Sequence, residues 1–410
     1  MKIPRDPDDD FSDRAIALRR DWLAARLGRR YPFLYGEAAT PNAALAGVVE
    51  NPVGTVGIPV GLAGPLLING DRARGSFVVP LATTEGALVA SFSRGMRAIT
   101  EAGGCRVLCP ANAWTGEGAA DVYRFRGDAL TKVSAIILRS EADAAPFDAW
   151  LRSYSGEIAA AANATSRHAR LLELTPLYQG DVVGLAFRYA TGNAMGLNMA
   201  TKGNEAACAF IREHSGGLAV DYFNTLGGDK RFVPDESKGR YVSASAVLPA
   251  DLVRTMFRST PVRMRRFLDA CNAVLAQRGA TAPNIHVANA LAALFIACGQ
   301  DPAFVTVSFR NACTAFDVDA EGALHASVTL PNLIVGTLGG GTKLPAQREC
   351  LEILGCSDDA RKLAEIVAAV TLAGEVSVAG AVSAGEFTRA HTVLGRGLRD
   401  AEAAAAGGSR

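Results

Sequence analysis

Four separated segments of this chain each set an ionisable group in apolar or glycine-rich sequence, and any fold the chain adopts has to satisfy all four. They are Pro80-Leu81-Ala82-Thr83-Thr84-Glu85-Gly86, Gly228-Asp229-Lys230-Arg231, Ala297-Cys298-Gly299-Gln300-Asp301 and Arg389-Ala390-His391. Isolated ionisable groups are costly to bury unless paired, so such placements point to ion pairs or to chemistry. A Glu, a Lys, an Asp and a His together can bind an oxyanion and move protons around it. Each also has a local alternative. Glu85 suits the start of a helix, where the macrodipole favours a carboxylate. Lys230 suits a solvated turn, Asp301 the turn before Pro302, and His391 the surface of a helix.

Composition narrows the partners. The chain has 410 residues, enough for two or three domains with a large core. Its formal net charge is +1, so no global field draws it to nucleic acid or anionic lipid, and only a local basic pocket remains open. Eight cysteines lack any C-x-x-C pair and read as buried small hydrophobes in a reduced cytosol. No metal-ligand spacing is present. The start, Met-Lys-Ile-Pro-Arg followed by Asp-Pro-Asp-Asp-Asp, is the opposite of a signal peptide. The apolar run from Ile285 to Cys298 contains His286 and Asn289 and is too short to cross a bilayer. A cytoplasmic protein with no membrane contact is expected.

Along the chain, five stretches separate. Residues 1–44 form an N-terminal segment with a helix from Ser12 to about Leu27, its apolar face made by Ile16, Leu18, Trp22, Leu23 and Leu27. Residues 45–116 begin a large domain, in which Thr84 to about Ala102 reads as a helix. Residues 117–220 read as a separate α+β unit, with strands at 122–125, 132–138, 170–176 and 182–190. Its helices are expected at 145–165 and from Met195 to Glu213. Residues 221–400 return to the large domain, with helices at 249–278, 285–298, 344–355, 358–371 and 374–393. Strands are expected there at 304–308, 323–329 and 333–338. Residues 401–410 carry no core-forming side chains and read as a frayed tail.

Generic fingerprints are missing. No G-x-G-x-x-G follows a strand, and the glycines from Gly336 to Gly341 precede Thr342-Lys343 in the wrong order for a P-loop. The ordered set of segments instead resembles the hydroxymethylglutaryl-CoA reductase family, from about Glu50 to Arg396. The resemblance rests on Glu50-Asn51-Pro52-Val53-Gly54, Ile58 to Leu66, Thr83-Thr84-Glu85-Gly86, Gly192-Asn193-Ala194-Met195-Gly196-Leu197-Asn198-Met199, Gly336 to Gly341 and Ala373-Gly374-Glu375. It looks closer to the branch shared by eukaryotes, archaea and some bacteria than to the degradative bacterial one.

The resemblance implies an α+β fold: a large, mainly helical catalytic domain with an inserted small ferredoxin-like nucleotide-binding domain. It implies a homodimer or larger homo-oligomer whose sites form between subunits. The implied reaction reduces an acyl thioester, CoA- or carrier-bound, to a primary alcohol with two NADPH. In it Lys230 stabilises the oxyanion, His391 protonates the departing thiolate, Glu85 supplies a proton to the carbonyl oxygen, and Asp301 ties Glu85 and Lys230 together. Ser166 and Arg167 align with the grip on the 2′-phosphate of NADPH. Asn193, Met195, Gly196, Leu197 and Asn198 align with the pyrophosphate-binding helix start, Asn193 replacing the usual aspartate. Ser91, Arg94 and Arg97 match positions lining the CoA arm, and at i, i+3 and i+6 they share one helix side. Asn289 and Arg231 are further substrate-binding positions.

The acyl end departs from the family. Trp114 stands where an arginine binds the substrate's terminal carboxylate, and Cys271-Asn272-Ala273-Val274-Leu275 replaces a stretch with a substrate-binding lysine. The resemblance therefore leaves two substrates open: hydroxymethylglutaryl-CoA, giving mevalonate, or another acyl thioester without that carboxylate.

Overall fold

The computed structural model describes residues 2–6, 9–110, 128–226, 230, 238–280 and 282–386. Trp114, Asp229, Arg231, His391 and the strand expected at 122–125 lie outside them. The chain divides into two units, one of residues 1–109, 242–330 and 336–410, the other of 110–241 with 331–335. The second unit therefore begins earlier and ends later than the stretch 117–220.

The large unit opens with α1 (Asp13–Leu27), where the Ser12 hydroxyl accepts from the Ala15 amide as N-cap. Its core face differs from the one expected. Ala15 and Leu23 are buried, whereas Ile16, Leu18 and Leu27 are exposed. Strands β1 (Val60–Asn69) and β2 (Arg74–Ala82) form an antiparallel hairpin. Helix α2 (Leu88–Glu101) starts four residues later than expected, because Ala87 takes a left-handed conformation with φ of 67°. Strand β3 (Cys105–Leu108) then runs parallel to β1.

The small unit is β4 (Ala129–Leu138), α3 (Ala144–Ser153), α4 (Ser155–Asn163), β5 (Arg170–Gln179), β6 (Val182–Ala190), α5 (Leu197–His214) and β7 (Ala219–Phe223). Its strands lie in the order β7-β4-β6-β5, all antiparallel. A βαββαβ chain in that order is the ferredoxin-like arrangement. Ile136, Leu185 and Phe187 of the sheet pack against Phe147, Ile158, Ala207 and Ile211 of the helices.

Strand β8 (Lys238–Leu248) begins in the small unit and ends in the large one, and it buries alternate residues as period-2 geometry requires. Two helices, α6 (Ala250–Phe257) and α7 (Pro261–Gln277), replace the single one expected at 249–278. Arg258 is left-handed, and Thr260 caps a new helix with Pro261 in its first turn. After α8 (Val287–Ala297), residues 304–308 form no strand. Asp301 accepts from the Ala303 amide and Pro302 opens a 3-10 turn that leads into α9 (Val305–Arg310), so capping overrides the β-branched composition. Strands β9 (Cys313–Val318) and β10 (Leu324–Leu333) pair antiparallel, and β10 takes in the two strands expected at 323–329 and 333–338 only up to Leu333. Helix α10 (Pro345–Ile353) follows.

The last helix, α11 (Ala360–Ser383), is continuous across the break expected between 371 and 374. Among the described residues it is the one helix long and apolar enough to cross a membrane, but it is 94% buried within the fold over that window. A Cβ on Gly95 would lie 1.8 Å from the Ala373 carbonyl oxygen, and one on Gly374 would lie 2.5 Å from the Phe92 ring. Only glycine lets α2 and α11 approach so closely. Two buried carboxylates project from α11. Glu365 accepts from the Arg72 and Ala73 amides at the β1–β2 turn. Glu375 accepts from Ile285 and His286, just before α8, and from the Thr314 hydroxyl. A third, Glu349 of α10, accepts from Phe33 and Leu34. Each carboxylate clamps two consecutive backbone amides.

Burial pushes the Glu365 carboxyl above its ordinary value of 4.5, with the two amides opposing the shift. The folded state therefore holds this proton to higher pH than the unfolded chain, so its contribution is fully present below 4.5 and is lost as pH rises through the folded value. Glu365→Gln mimics the protonated form and removes that loss. Urea unfolding should show its stability rising relative to the parent between pH 4 and pH 7. Glu365→Ala should cost about 2–4 kcal/mol at either pH by stranding two amides.

Candidate active site

Glu85 sits in the turn that joins β2 to α2. The Thr83 hydroxyl accepts from the Glu85 amide at 2.9 Å and folds the turn back on itself. The Glu85 side chain is exposed. Ala87 then caps α2 in its left-handed conformation, with no side chain hydrogen-bonding the helix start. A non-glycine residue at φ of 67° two positions after a candidate acid is stored strain at a site.

Helix α2 carries the three residues expected on one face. Ser91 meets the Ser377 hydroxyl at 3.1 Å. Arg94 donates from Nη2 to the Ser377 carbonyl at 2.8 Å and from Nε to its hydroxyl at 3.1 Å. Its guanidinium also lies over the Phe257 ring. Burial pulls the Arg94 pKa down, and Glu386 opposes the shift. Arg97 is exposed and pairs with Glu101 one turn later at 2.6 Å. The structure thus turns Ser91 and Arg94 toward α11 and leaves Arg97 on the surface.

Asp301 is half-buried and stands at the start of the 3-10 turn before α9. The preceding residue builds its platform. Gln300 is buried, donates to the Cys298 and Gly336 carbonyls, and accepts from the Gly336 amide at 2.8 Å. That exchange joins the Asp301 turn to the glycine segment 336–341. Asn289 lies one turn into α8, its amide nitrogen 3.4 Å from His286 Nδ1. His286 also stacks at a tilt on Phe92 and has a buried Nε2 with no hydrogen-bond partner. Gln300, Glu375 and His286 were given no role by the sequence. A Glu set within the long apolar run 366–382 was the available signal for Glu375.

In the small unit, Lys230 is exposed. The expected nucleotide segments meet at the start of α5. Gly196 precedes the helix at φ of 84°, and no side chain caps it. A Cβ there would lie 2.2 Å from the Thr191 methyl, so only glycine fits. The Thr191 hydroxyl donates to the Ala194 carbonyl at 2.9 Å, tightening the turn that carries Asn193 and Met195. The first turn of α5 holds no acidic residue, so the amides of Leu197, Asn198 and Met199 face outward into an uncontested positive end. Ser166 lies 3.4 Å from Met199 Sδ and accepts from the His168 and Ala169 amides. Arg167 is exposed at the same turn. An uncapped helix start beside a free-standing guanidinium is suited to a phosphorylated ligand.

The cysteines add no nucleophile here. All eight are free thiols, and burial pushes Cys350 and Cys356 up to about 12 and Cys298 well above its ordinary value. No cluster of metal-binding side chains occurs among the described residues.

The sequence model of the family described as hydroxymethylglutaryl-coenzyme A reductase matches residues 15–396. The 3-hydroxy-3-methylglutaryl-coenzyme A reductase of Aeropyrum pernix is 40% identical over 362 residues, covering 85% of this chain and 82% of that protein. That of Halobacterium salinarum is 37% identical over 400 residues, covering 95% and 94%. Among solved structures, the class II 3-hydroxy-3-methylglutaryl-CoA reductase of Streptococcus pneumoniae bound to NADPH aligns with a TM-score of 0.66. At 20% identity, over 92% of this chain and 98% of that one, it shares the fold.

Replacing Ala87 by Gly should relieve the left-handed strain before α2 and raise stability by about 1 kcal/mol. The thermal unfolding midpoint reads it, and a fall would mean that the alanine methyl contributes more in packing than its conformation costs.

Proposed function

The chain belongs to the hydroxymethylglutaryl-coenzyme A reductase family, and from that we propose that it reduces an acyl-CoA thioester to a primary alcohol with two NADPH. The observation that carries this reading is the uncapped start of α5 at Gly196, with Ser166 and Arg167 beside it. The amides of Leu197, Asn198 and Met199 would hold the pyrophosphate, and Arg167 the 2′-phosphate. NADPH, when bound, supplies the hydride for each reduction.

The remaining steps belong to the chain. The Lys230 ammonium stabilises the oxyanion that forms as the thioester carbonyl is reduced. When the carbon–sulfur bond of the hemithioacetal breaks, His391 protonates the leaving thiolate. Glu85, exposed in its turn, protonates the carbonyl oxygen as the aldehyde becomes the alcohol. Asp301, set by the Gln300 platform, orients this proton transfer. Arg97 is the CoA-facing residue of α2 that remains exposed.

The protein acts as a cytoplasmic homo-oligomer in this reading. Residues 51–59 are exposed without regular structure, and Val53 and Val56 stand almost wholly free of the fold. Two such valines in the segment that resembles the family's subunit contact suit burial against a second copy.

A second reading concerns the acyl group. Where the resembled family places a substrate lysine, α7 carries Cys271 to Leu275 and exposes Val274 and Leu275. With Trp114 in place of an arginine, Arg231 alone is left to offset the hydration that a substrate carboxylate loses. NADPH oxidation by the full chain, with hydroxymethylglutaryl-CoA competing against neutral acyl-CoAs, tests both readings. Preference for hydroxymethylglutaryl-CoA at micromolar concentration removes the second, and no oxidation with any thioester removes the first. Arg167→Ala should weaken NADPH at least about tenfold more than NADH, since only the former carries a 2′-phosphate for a guanidinium to grip. A parallel fall in both affinities would make the arginine structural.

A further inference from the structure

The Gly192–Gly196 turn is held by a buried arginine to which the reduction assigns no part. Arg240 lies on the inward face of β8 and is 3% exposed. Its Nη2 donates to the Gly192 carbonyl at 2.6 Å and its Nη1 to the Val335 carbonyl at 2.6 Å. Its Nε lies 3.2 Å from Asp128 Oδ2, an ion pair without hydrogen-bond geometry. A guanidinium is expensive to bury, and a packed hydrophobic residue on that face would carry no such cost. What the arginine adds is a rigid planar fork whose two terminal nitrogens reach two separate carbonyls, whereas a lysine presents all its donors from one nitrogen on a flexible stem.

The carbonyl it holds is one of consequence. Gly192 opens the turn at φ of 59°, and Thr191 ties the same turn through the Ala194 carbonyl. The turn is gripped by Arg240 before Asn193 and by Thr191 after it. Its path sets where Gly196 releases the chain into α5, and hence where the first amides of the helix point. Asp128 offsets the charge of Arg240, so the arginine acts through geometry rather than through field.

We propose that Arg240 is a positioning residue for the dinucleotide, fixing the Gly192 carbonyl so that the α5 amides converge on the pyrophosphate. This rests on the reading of the α5 start as the NADPH site. The test uses the full chain, with NADPH affinity read from nicotinamide fluorescence and from steady-state kinetics. Arg240→Lys and Thr191→Val should each raise the Kd and KM for NADPH about tenfold or more, the size of roughly one strong hydrogen bond. In both variants kcat at saturating NADPH and KM for the acyl-CoA should stay within about twofold of the parent.

An Arg240→Lys protein that folds and binds NADPH normally, or that loses kcat with unchanged affinity, overturns the proposal. Thr191→Val leaves the ion pair intact and changes little volume, so it decides the matter if Arg240→Lys fails to fold. Weakened NADPH binding there supports control of affinity by the turn, and unchanged binding rejects it. Gly196→Ala separates the two levels of failure. If it too leaves NADPH affinity unchanged, the nucleotide reading is wrong. If it weakens binding while Arg240→Lys does not, only the role of Arg240 falls.

Discussion

The approach of α2 to α11 through Gly95 and Gly374 is the contact on which the large unit depends. With backbone against backbone, Ser377 comes within reach of Ser91 and Arg94, and Phe92 reaches the ring of His286. From the same helix, Glu375 clamps the chain entering α8 and Glu365 clamps the β1–β2 turn. The two elements that bear Glu85 and Asp301 are therefore referred to one buried helix. A side chain at either glycine would push α2 outward and disturb everything registered on α11.

The small unit achieves placement differently. Its ferredoxin-like sheet supports α5, and the start of that helix, the proposed nucleotide site, is defined by what is missing: a Cβ at Gly196, a capping side chain and an acidic first turn. Helix starts normally satisfy their amides locally. Leaving them open keeps hydrogen-bonding capacity at the helix start, while the unit is held together by a packed interior that includes Phe147, Phe187 and Ile211.

What the sequence revealed follows the range of the interactions involved. The start of α1 was legible because Ser12 caps it locally, and α5 because Gly192-Asn193 opens its turn. The helix breaks at Tyr154 and Arg258 were not, since each is a single backbone conformation within helix-forming sequence. Gly374 looked like the start of a new helix after a break at 372–373, yet its missing side chain serves a contact and one helix runs through. The β-branched run 304–308 suggested a strand, while the capping signal at Asp301-Pro302 prevailed. At the candidate site, Glu85, Lys230 and Asp301 were visible as polar groups in apolar sequence. The partner of Arg94 was not, because Ser377 lies 283 residues further along the chain. Arg240 was hidden for the same reason, its carbonyl partners being 48 and 95 residues away.

The two glutamates of α11 also bear on the chain before it folds. By length and composition this helix, among the described residues, is the one that qualifies as a bilayer span. A carboxylate carried into hydrocarbon resists that transfer, by about 3 kcal/mol on insertion scales for an aspartate at the helix centre. In the folded protein Glu365 and Glu375 find backbone amides that a lipid cannot offer. The residues that clamp the finished core are therefore also ones that raise the cost of placing this helix in hydrocarbon, and replacing both by uncharged side chains of similar shape would lower that cost.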